Sequence, residues 1–252
     1  MELLVLGADG MYAGPGGATS GFLLREDGFS LWLDMGSGTL ANLQRFHGLF
    51  EVDALVVSHR HPDHLVDLFT YYIARKYDSP EPSREIPLFG PPEVLQRAQR
   101  FITDSSEGGL EATFDCVEVD PGSGFEVGPF RVRTAAMAHP VQTMGARFEA
   151  GGAALAYSAD TGPCPQLVEL AGGADVLLSE ASWQDEDLAY PDGLHLRASE
   201  AGDHAKRAGA GRLVLTHVKP GLDRERSRRE AGAVFEGEVL LAEAGMTVEV
   251  KA

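Results

Sequence analysis

The sequence predicts an α/β protein in which β-sheets lie in the middle and helices cover them on the outside. Short apolar runs bounded by polar residues, such as Ala54–Val57, are typical of strands buried on both faces. Segments with helical periodicity follow several of these runs, and the order of strands followed by strand–helix units occurs twice. Sheets covered by helices are the economical way to bury so many apolar strands. We therefore expect one domain over residues 1–252, built from two similar halves.

The first half of the chain alternates strand and helix signals. Its opening strand, Glu2–Gly7, leads into a loop, Asp9–Gly17, whose glycines permit tight backbone turns. Asp27 and Gly28 signal a hairpin. The hairpin strands are Ser20–Arg25 and Phe29–Asp34, and they are followed by a helix over Thr39–Phe50, a central strand at Leu55–Val57, a helix over Asp63–Lys76, a loop over 78–92 with five prolines around a short strand at Ile86–Phe89, and a helix over Glu93–Thr103.

The second half begins with a run of strands and then returns to strand–helix units. The predicted strands are Thr113–Val119, Phe130–Ala138, Met144–Ala150, Ala153–Tyr157, Asp175–Ser179, Arg212–Thr216, Val239–Leu241 and Thr247–Val250. The predicted helices are Cys164–Ala171, Ser199–Ala208 and Asp223–Val234. No low-complexity linker or charge block marks a domain boundary.

Four side chains of the kinds that bind metal ions follow the central strand within six positions. In VDALVVSHRHPDHL they are His59, His61, Asp63 and His64, which form the pattern HxHxDH. They lie where a strand ends and a helix begins, a usual place for chemistry in α/β proteins. Three imidazoles and a carboxylate this close together are costly to hold without a cation. The pattern therefore favours a metal site over a solvated histidine-rich turn.

Three more residues of these kinds follow later apolar strands. They are His139 in TAAMAHP, Asp160 in YSADTGP and His217 in LVLTHVKP. Taken singly, each can be a capping or turn residue, but each lies at a strand exit, and neighbouring strands can bring such exits to a common edge. Imidazole nitrogens and carboxylate oxygens are ligands that suit zinc. Manganese and iron are alternatives, since the same donors bind them.

This set of motifs resembles the metallo-β-lactamase superfamily, whose mark is HxHxDH followed by separate His, Asp and His residues. The resemblance covers nearly the whole chain and implies a four-layer αββα sandwich, with two mixed β-sheets flanked by helices. It also implies a hydrolase with two divalent metal ions. One ion would be bound by His59, His61 and His139, the second by Asp63, His64 and His217, and Asp160 would bridge them.

The resemblance assigns supporting roles to two aspartates. Asp63 would orient the attacking hydroxide as well as bind metal. Asp34, in WLDMGSG, is similar to an early aspartate of the superfamily that supports the ligands, and a strand-end cap is the alternative. Cys164 does not occupy the position at which serum-type β-lactamases of this superfamily carry a cysteine ligand, and we expect it to be a packing residue.

Within the superfamily the chain looks most like the ribonuclease Z-like phosphodiesterase branch. HLRASEA, which begins at His195, resembles the HxTxxEA segment of that branch, and Glu180 in LLSEASW resembles the acidic residue that orients this histidine. Arg197 departs from the pattern, since the branch often has a threonine there. By this resemblance His195 would protonate the leaving alkoxide, a step worth about 10²- to 10⁴-fold in rate. A helix-start residue is the alternative for His195.

Two observations argue against a transfer-RNA substrate. Ribonucleases of the bacterial type carry a long tRNA-binding arm between the third histidine and the bridging aspartate, and here the stretch from His139 to Asp160 predicts only two short strands. The formal net charge is -17, from 38 acidic and 21 basic residues. Polyanions are normally met by a basic surface. We therefore expect small or cyclic phosphodiesters as substrates, rather than tRNA 3′ processing or other large nucleic acids.

Composition predicts a cytoplasmic protein. The two cysteines, Cys116 and Cys164, are too few for a disulfide scaffold. No stretch approaches the roughly 20 apolar residues of a membrane span, and MELLVLGADG lacks the pattern of a signal peptide. The resemblance suggests a homodimer.

Some alternatives stay open on the sequence. A lactone or thioester hydrolase of the same superfamily is the second enzymatic hypothesis, and a metal-binding protein without turnover is the third. Tyr71, Tyr72 and Tyr77 are interpreted either as an aromatic wall over the metals, together with the Asp9–Gly17 loop, or as core packing. His47 and His204 are predicted to be helical surface residues.

Overall fold

Two β-sheets packed face to face form the centre of the fold, and helices cover both outer faces. The computed structural model describes residues 1–81, 84–103, 109–186, 191 and 193–251. In chain order the strands are β1 (Glu2–Gly7), β2 (Gly21–Glu26), β3 (Phe29–Leu33), β4 (Ala54–Val56), β5 (Ile86–Gly90), β6 (Phe114–Glu118), β7 (Gly124–Val127), β8 (Phe130–Ala136), β9 (Met144–Ala150), β10 (Ala153–Tyr157), β11 (Val176–Glu180), β12 (Arg212–Thr216), β13 (Glu238–Leu241) and β14 (Thr247–Glu249). The helices are α1 (Thr39–Phe46), α2 (Pro62–Asp78), α3 (Pro92–Thr103), α4 (Pro165–Leu170), α5 (Ala198–Ala208) and α6 (Arg224–Gly232).

The two sheets repeat one topology. The first has the order β14-β1-β2-β3-β4-β5-β6 and the second the order β13-β12-β11-β10-β9-β8-β7. In the first sheet the pairs from β14 to β3 are antiparallel and those from β3 to β6 are parallel. In the second sheet the pairs from β7 to β10 are antiparallel and those from β10 to β13 are parallel. This repeat confirms the expected αββα sandwich with two mixed sheets, and it explains why the sequence pattern occurs twice.

Three apolar layers hold the sandwich together. Successive side chains of a strand point to opposite faces, so Leu31 and Leu33 face the other sheet whereas Trp32 faces the helices. The central layer lies between the sheets. One outer layer lies under α1, α2 and α3, and the other lies under α4, α5 and α6, where small alanines such as Ala201 and Ala205 let α5 approach its sheet closely.

Most predicted elements occur within a few residues of their expected ends. The helix predicted over Thr39–Phe50 stops at Phe46, because His47 takes an extended conformation directly before Gly48, and glycine disfavours continuation. The edge strand β7 was not predicted, since its four residues, GFEV, carry too short an alternation to be recognised. The proline-rich loop over 78–92 includes residues 82 and 83, which lie outside the described residues.

The topology brings functional segments to one edge of the sandwich. The carboxyl ends of β3 and β4 lie beside each other in the first sheet, and those of β10, β11 and β12 lie beside each other in the second. Loops that leave these ends face each other across the gap between the sheets. None of the helices in the described ranges combines the length and apolar character that crossing a membrane requires.

Candidate metal centre

The seven side chains predicted as metal ligands lie together at this edge. They form two groups that share one carboxylate: His59, His61, His139 and Asp160 in the first, and Asp63, His64, Asp160 and His217 in the second. Within each group, one nitrogen or oxygen atom from every residue lies within 4.8 Å of all the others. The residues come from loops after β4, β8, β10 and β12 and from the first turn of α2, so both sheets contribute.

The first group presents three imidazoles to one carboxylate. Nδ1 of His61 lies 3.1 Å from Nε2 of His59 and 3.1 Å from Nε2 of His139. Oδ2 of Asp160 lies 3.6 Å from His59 and 4.0 Å from His139. Burial lowers the pKa of all three imidazoles and outweighs the Asp160 charge, which acts in the opposite direction. Neutral imidazoles with converging nitrogens are the form in which histidine binds a metal.

The second group places two imidazoles between two carboxylates. Nε2 of His217 lies 3.2 Å from Asp63 Oδ2 and 3.5 Å from Asp160 Oδ1, and Nε2 of His64 lies 3.2 Å from the same Asp160 atom. Burial by itself lowers the pKa of His64 and of His217, but the surrounding carboxylates have the larger effect, so both pKa values are raised. Burial raises the pKa of Asp63, but His64 and His217 outweigh it and bring that pKa to about 2. The low pKa of Asp63 therefore favours the ionised carboxylate, which is the form that binds a cation.

Hydrogen bonds to Nδ1 hold several of these imidazoles in place. Asp34 accepts from Nδ1 of His64 at 2.8 Å, and it also accepts from the backbone and hydroxyl of Ser58 and from the hydroxyl of Tyr157. The hydroxyl of Ser182 lies 2.8 Å from Nδ1 of His217. Partners of this kind set which ring nitrogen is free to bind a metal. Asp34 thus supports a ligand, and its position at the end of β3, with φ 55°, aims its carboxylate at His64.

His195 and Glu180 form a dyad beside the two groups. Oε1 of Glu180 accepts from Nδ1 of His195 at 3.0 Å, and the same Nδ1 lies 4.0 Å from Asp160. Burial lowers the pKa of His195, but the charge and hydrogen bond of Glu180 outweigh it and raise that pKa to about 9. Among the described residues, none makes a hydrogen bond to Nε2 of His195. The raised pKa favours the protonated imidazole, whose Nε2–H lies on the side away from Glu180.

The donor set fits divalent metal ions. His64 Nε2 and Asp160 Oδ1 are buried and make no hydrogen bond within the described part of the chain, although they lie 3.2 Å apart. Burying polar atoms without a partner is costly, and a cation between them removes that cost. Imidazole and carboxylate ligands in groups of four suit zinc, manganese or iron.

A model of the β-lactamase superfamily domain matches residues 32–218. The chain belongs to the β-lactamase superfamily. Uncharacterized protein Rv1339 of Mycobacterium tuberculosis is 38% identical to it over 257 residues, which cover 100% of this chain and 93% of that protein. Probable metallo-hydrolase YhfI of Bacillus subtilis is 30% identical over 251 residues, covering 99% and 100%. Ribonuclease Z of Mycobacterium bovis is 27% identical over 267 residues, covering 95% and 94%.

Solved structures agree with these relationships. The crystal structure of YhfI from Bacillus subtilis superposes with a TM-score of 0.89 at 28% identity and covers 98% of each chain. The crystal structure of the short form of human tRNase Z shares the fold, with a TM-score of 0.80 at 22% identity and coverage of 100% of both chains. The expected resemblance to the ribonuclease Z-like branch is thereby confirmed, and the chain is a metallo-hydrolase of this superfamily.

The structure decides between the two interpretations that the sequence left open for the tyrosines. Tyr71 and Tyr72 are buried against Trp32 and Phe114, so they are core residues and form no wall over the centre. Tyr77 is exposed at the far end of α2. Core packing is therefore the correct alternative for Tyr71 and Tyr72, because the helical face that carries them packs on the first sheet.

His204 is buried, contrary to the prediction of a surface residue. Its Nδ1 donates to the carbonyl of Glu200, and its Nε2 accepts from the backbone N–H of Cys164 at 3.2 Å. This histidine therefore ties α5 to the start of α4. His47 follows the last residue of α1 and is half-buried. Cys164 is buried at the start of α4, in agreement with its predicted packing role.

Sequence reasoning missed four groups that make polar contacts around the centre, namely Ser58, Ser182, Tyr157 and the backbone N–H of Met11. Ser58 and Ser182 bind the supporting carboxylates, and the backbone N–H of Met11 donates to Asp63 Oδ2 at 3.1 Å. Ser58 directly precedes the HxHxDH pattern, so its position was a usable signal. Tyr157 and Met11 carried none, because only the packing of the sheets brings them near. The Met11 contact places part of the Asp9–Gly17 loop against Asp63.

Proposed function

We propose that this superfamily member is a phosphodiesterase that acts on small or cyclic phosphodiesters and uses two divalent metal ions. His59, His61 and His139 would hold one ion and Asp63, His64 and His217 the other, with Asp160 shared between the two groups. Zinc is the proposed metal, with manganese or iron as alternatives. Bound there, the ions supply Lewis-acid chemistry, since they lower the pKa of water and neutralise charge on phosphoryl oxygens.

The observation that carries this proposal is the His195–Glu180 dyad. Hydrolysis of an alkyl phosphodiester expels an alkoxide, which is a poor leaving group unless a proton reaches it. Nδ1 of His195 lies 4.0 Å from Asp160, its Nε2 side is available, and its raised pKa favours the protonated form. His195 donates the proton to the leaving oxygen, and Glu180 holds the ring in place and stabilises its charge.

Asp63 positions the attacking water in this proposal. Its Oδ2 accepts a hydrogen bond from the backbone N–H of Met11 at 3.1 Å, which helps to fix the carboxylate. Because its pKa is about 2, it is a carboxylate at neutral pH and accepts a hydrogen bond from water. Three residues thus divide the work: Asp63 orients the nucleophile, His195 protonates the leaving group, and Glu180 positions His195.

Small substrates are proposed for two reasons. The stretch from His139 to Asp160 is occupied by β9 and β10, so no tRNA-binding arm lies there. The net charge of -17 also disfavours long polyanions. The relative named ribonuclease Z supports phosphodiesters as the substrate class, since RNA is a phosphodiester.

The test is turnover of bis(p-nitrophenyl) phosphate and of a panel of cyclic nucleotides by purified protein, with and without a chelator. We expect hydrolysis that the chelator abolishes and that zinc or manganese restores. Lactones and thioesters are assayed in parallel. Metal-dependent turnover of those esters with none of any phosphodiester would assign the chain to the second enzymatic class instead.

A further inference from the structure

A groove of about 580 Å³ lies between α2 and α3, next to the metal centre. We call it the α2–α3 groove, and its wall includes Arg60, Leu65, Phe69, Arg97, Arg100 and Phe101. Arg60 and Pro62 both line it, and they flank His61 in the chain. A molecule whose reacting group sits among the metal ligands can therefore extend past His61 into the groove. Its volume lies within the range of small-molecule sites, about 300–1,000 Å³.

One wall of the α2–α3 groove is an exposed aromatic surface. Phe69 of α2 and Phe101 of α3 stack with ring centroids 4.0 Å apart and an interplanar angle of 25°. Phe101 keeps 60% of its surface exposed. Exposing an aromatic side chain to water is unfavourable, and a planar ring that covers Phe101 reduces this cost. Stacking of a nucleobase on an aromatic side chain is a common way to cover it.

The polar part of the α2–α3 groove is cationic. Arg97 and Arg100 are exposed, and neither has an acidic partner within 4.0 Å among the described residues, whereas Arg60 is paired with Glu93 at 2.7 Å. Many other arginines of the described chain are ion-paired, as Arg226 is with Glu230. In a protein of net charge -17, two guanidinium groups that have no acidic partner among the described residues and lie beside the candidate metal centre favour binding of an anion.

We propose that the α2–α3 groove holds the non-reacting part of the substrate, and that this part carries a planar ring and a second anionic group. A short linear oligonucleotide with a 5′-phosphate, of two or three residues, has this chemistry. One base stacks on Phe101, and a phosphate next to the reacting one pairs with Arg97 and Arg100. The inference rests on the proposed phosphodiesterase function and narrows its substrate class.

The test compares a doubly anionic substrate with a singly charged one. The wild type and Arg97→Ala/Arg100→Ala are assayed with 5′-phosphorylated diadenylate (pApA) and with bis(p-nitrophenyl) phosphate. We expect the double variant to raise KM for pApA about tenfold or more, because charge-assisted hydrogen bonds to phosphate are lost. KM for bis(p-nitrophenyl) phosphate and kcat for both are expected to stay unchanged. Phe101→Ala should raise KM for pApA about fivefold or more.

The matched control is Arg228→Ala/Arg229→Ala on α6. It removes the same formal charge from exposed positions outside the groove and should leave both KM values unchanged. Equal effects of the groove variants on both substrates would overturn the proposal, as would a wild type that cleaves bis(p-nitrophenyl) phosphate but neither cleaves nor binds pApA. A wild-type dimer by light scattering that becomes monomeric in Phe101→Ala would also overturn it, since a second copy would then cover the groove.

Failure of the proposed function is distinguishable from failure of this inference. If the wild type cleaves no phosphodiester, binding of pApA is measured by isothermal titration calorimetry. Binding that weakens about tenfold in Arg97→Ala/Arg100→Ala, and not in the α6 control, supports the groove as an oligonucleotide site even then. Absence of binding to the wild type overturns it.

Discussion

Replacing Glu180 by glutamine tests how the dyad sets the working pH of the enzyme. Oε1 of Glu180 accepts from His195 Nδ1 at 3.0 Å and from the N–H of Thr161 at 2.6 Å, and the carboxylate is buried. Glutamine keeps the shape and an acceptor oxygen but removes the charge. Since the charge and hydrogen bond of Glu180 are the main causes that raise the pKa of His195 to about 9, that pKa is expected to fall to about the ordinary value of 6.5, where burial is opposed by the charge of Asp160.

The size of the effect follows from the fraction of protonated His195. At pH 8 a group of pKa 9 is about 90% protonated and one of pKa 6.5 about 3%, so the rate is expected to fall about thirtyfold. At pH 6 both forms are mostly protonated, and the rate should change less than about twofold. The alkaline limb of the profile of kcat/KM against pH therefore moves down by about 2.5 units.

The assay is hydrolysis of an alkyl phosphodiester between pH 5 and 10, with the His195 imidazole followed in parallel by NMR. Ser182→Ala is the control, because it removes another hydrogen-bond partner of Glu180 but keeps the carboxylate, and its alkaline limb should stay near pH 9. A loss of rate in Glu180→Gln that is the same at every pH would refute the reasoning, since it would mean that Glu180 has a purely structural role.

Three further changes test the role of His195, the role of Asp160 and the contribution of the buried His204 to stability. His195→Ala should slow cleavage of alkyl phosphodiesters about 10²- to 10⁴-fold but affect p-nitrophenyl esters much less, because that leaving group needs no proton; equal losses with both leaving groups would contradict a role as general acid. Asp160→Ala should lower the metal content, measured by elemental analysis, from two ions per chain to one or none, because the two oxygens of Asp160 face both ligand groups. A variant that keeps two ions would exclude the bridging role. Asp203→Ala, on the exposed surface of α5, serves as the control. His204→Ala should lower the free energy of unfolding by about 1–3 kcal/mol in a urea titration, since the N–H of Cys164 loses its buried acceptor; His47→Ala, at a half-buried position, should change it much less, and equal effects would contradict the argument.

Much of the fold was predictable because buried strands leave strong local patterns. β9, β10 and β12 have the predicted bounds, Met144–Ala150, Ala153–Tyr157 and Arg212–Thr216. The elements that were missed or misplaced depend on weak local signals. β7 is a four-residue edge strand that exists because it pairs with β8, and α1 ends early where the chain turns at Gly48.

The candidate centre, like the fold, was predictable from the sequence only in part. HxHxDH is a local pattern, and a residue of a metal-binding kind directly after a buried strand is also visible locally, so the seven proposed ligands and their place at strand exits came from the sequence. What the sequence could not show is which residues, far away in the chain, make the supporting contacts. Tyr157 donates to Asp34 across 123 positions, and Met11 reaches Asp63 across 52.

By itself, the sequence determined the class of fold, the superfamily and the residue types available for a metal centre, since these depend on periodicity and on short motifs. Only the tertiary structure decided that Tyr71 and His204 are buried and that Ser182 joins Glu180 to His217. It also decided that an exposed phenylalanine and two arginines without an acidic partner among the described residues flank the centre. The reason is physical: which face of a helix is covered, and which charges find a partner, depend on packing between elements distant in the chain.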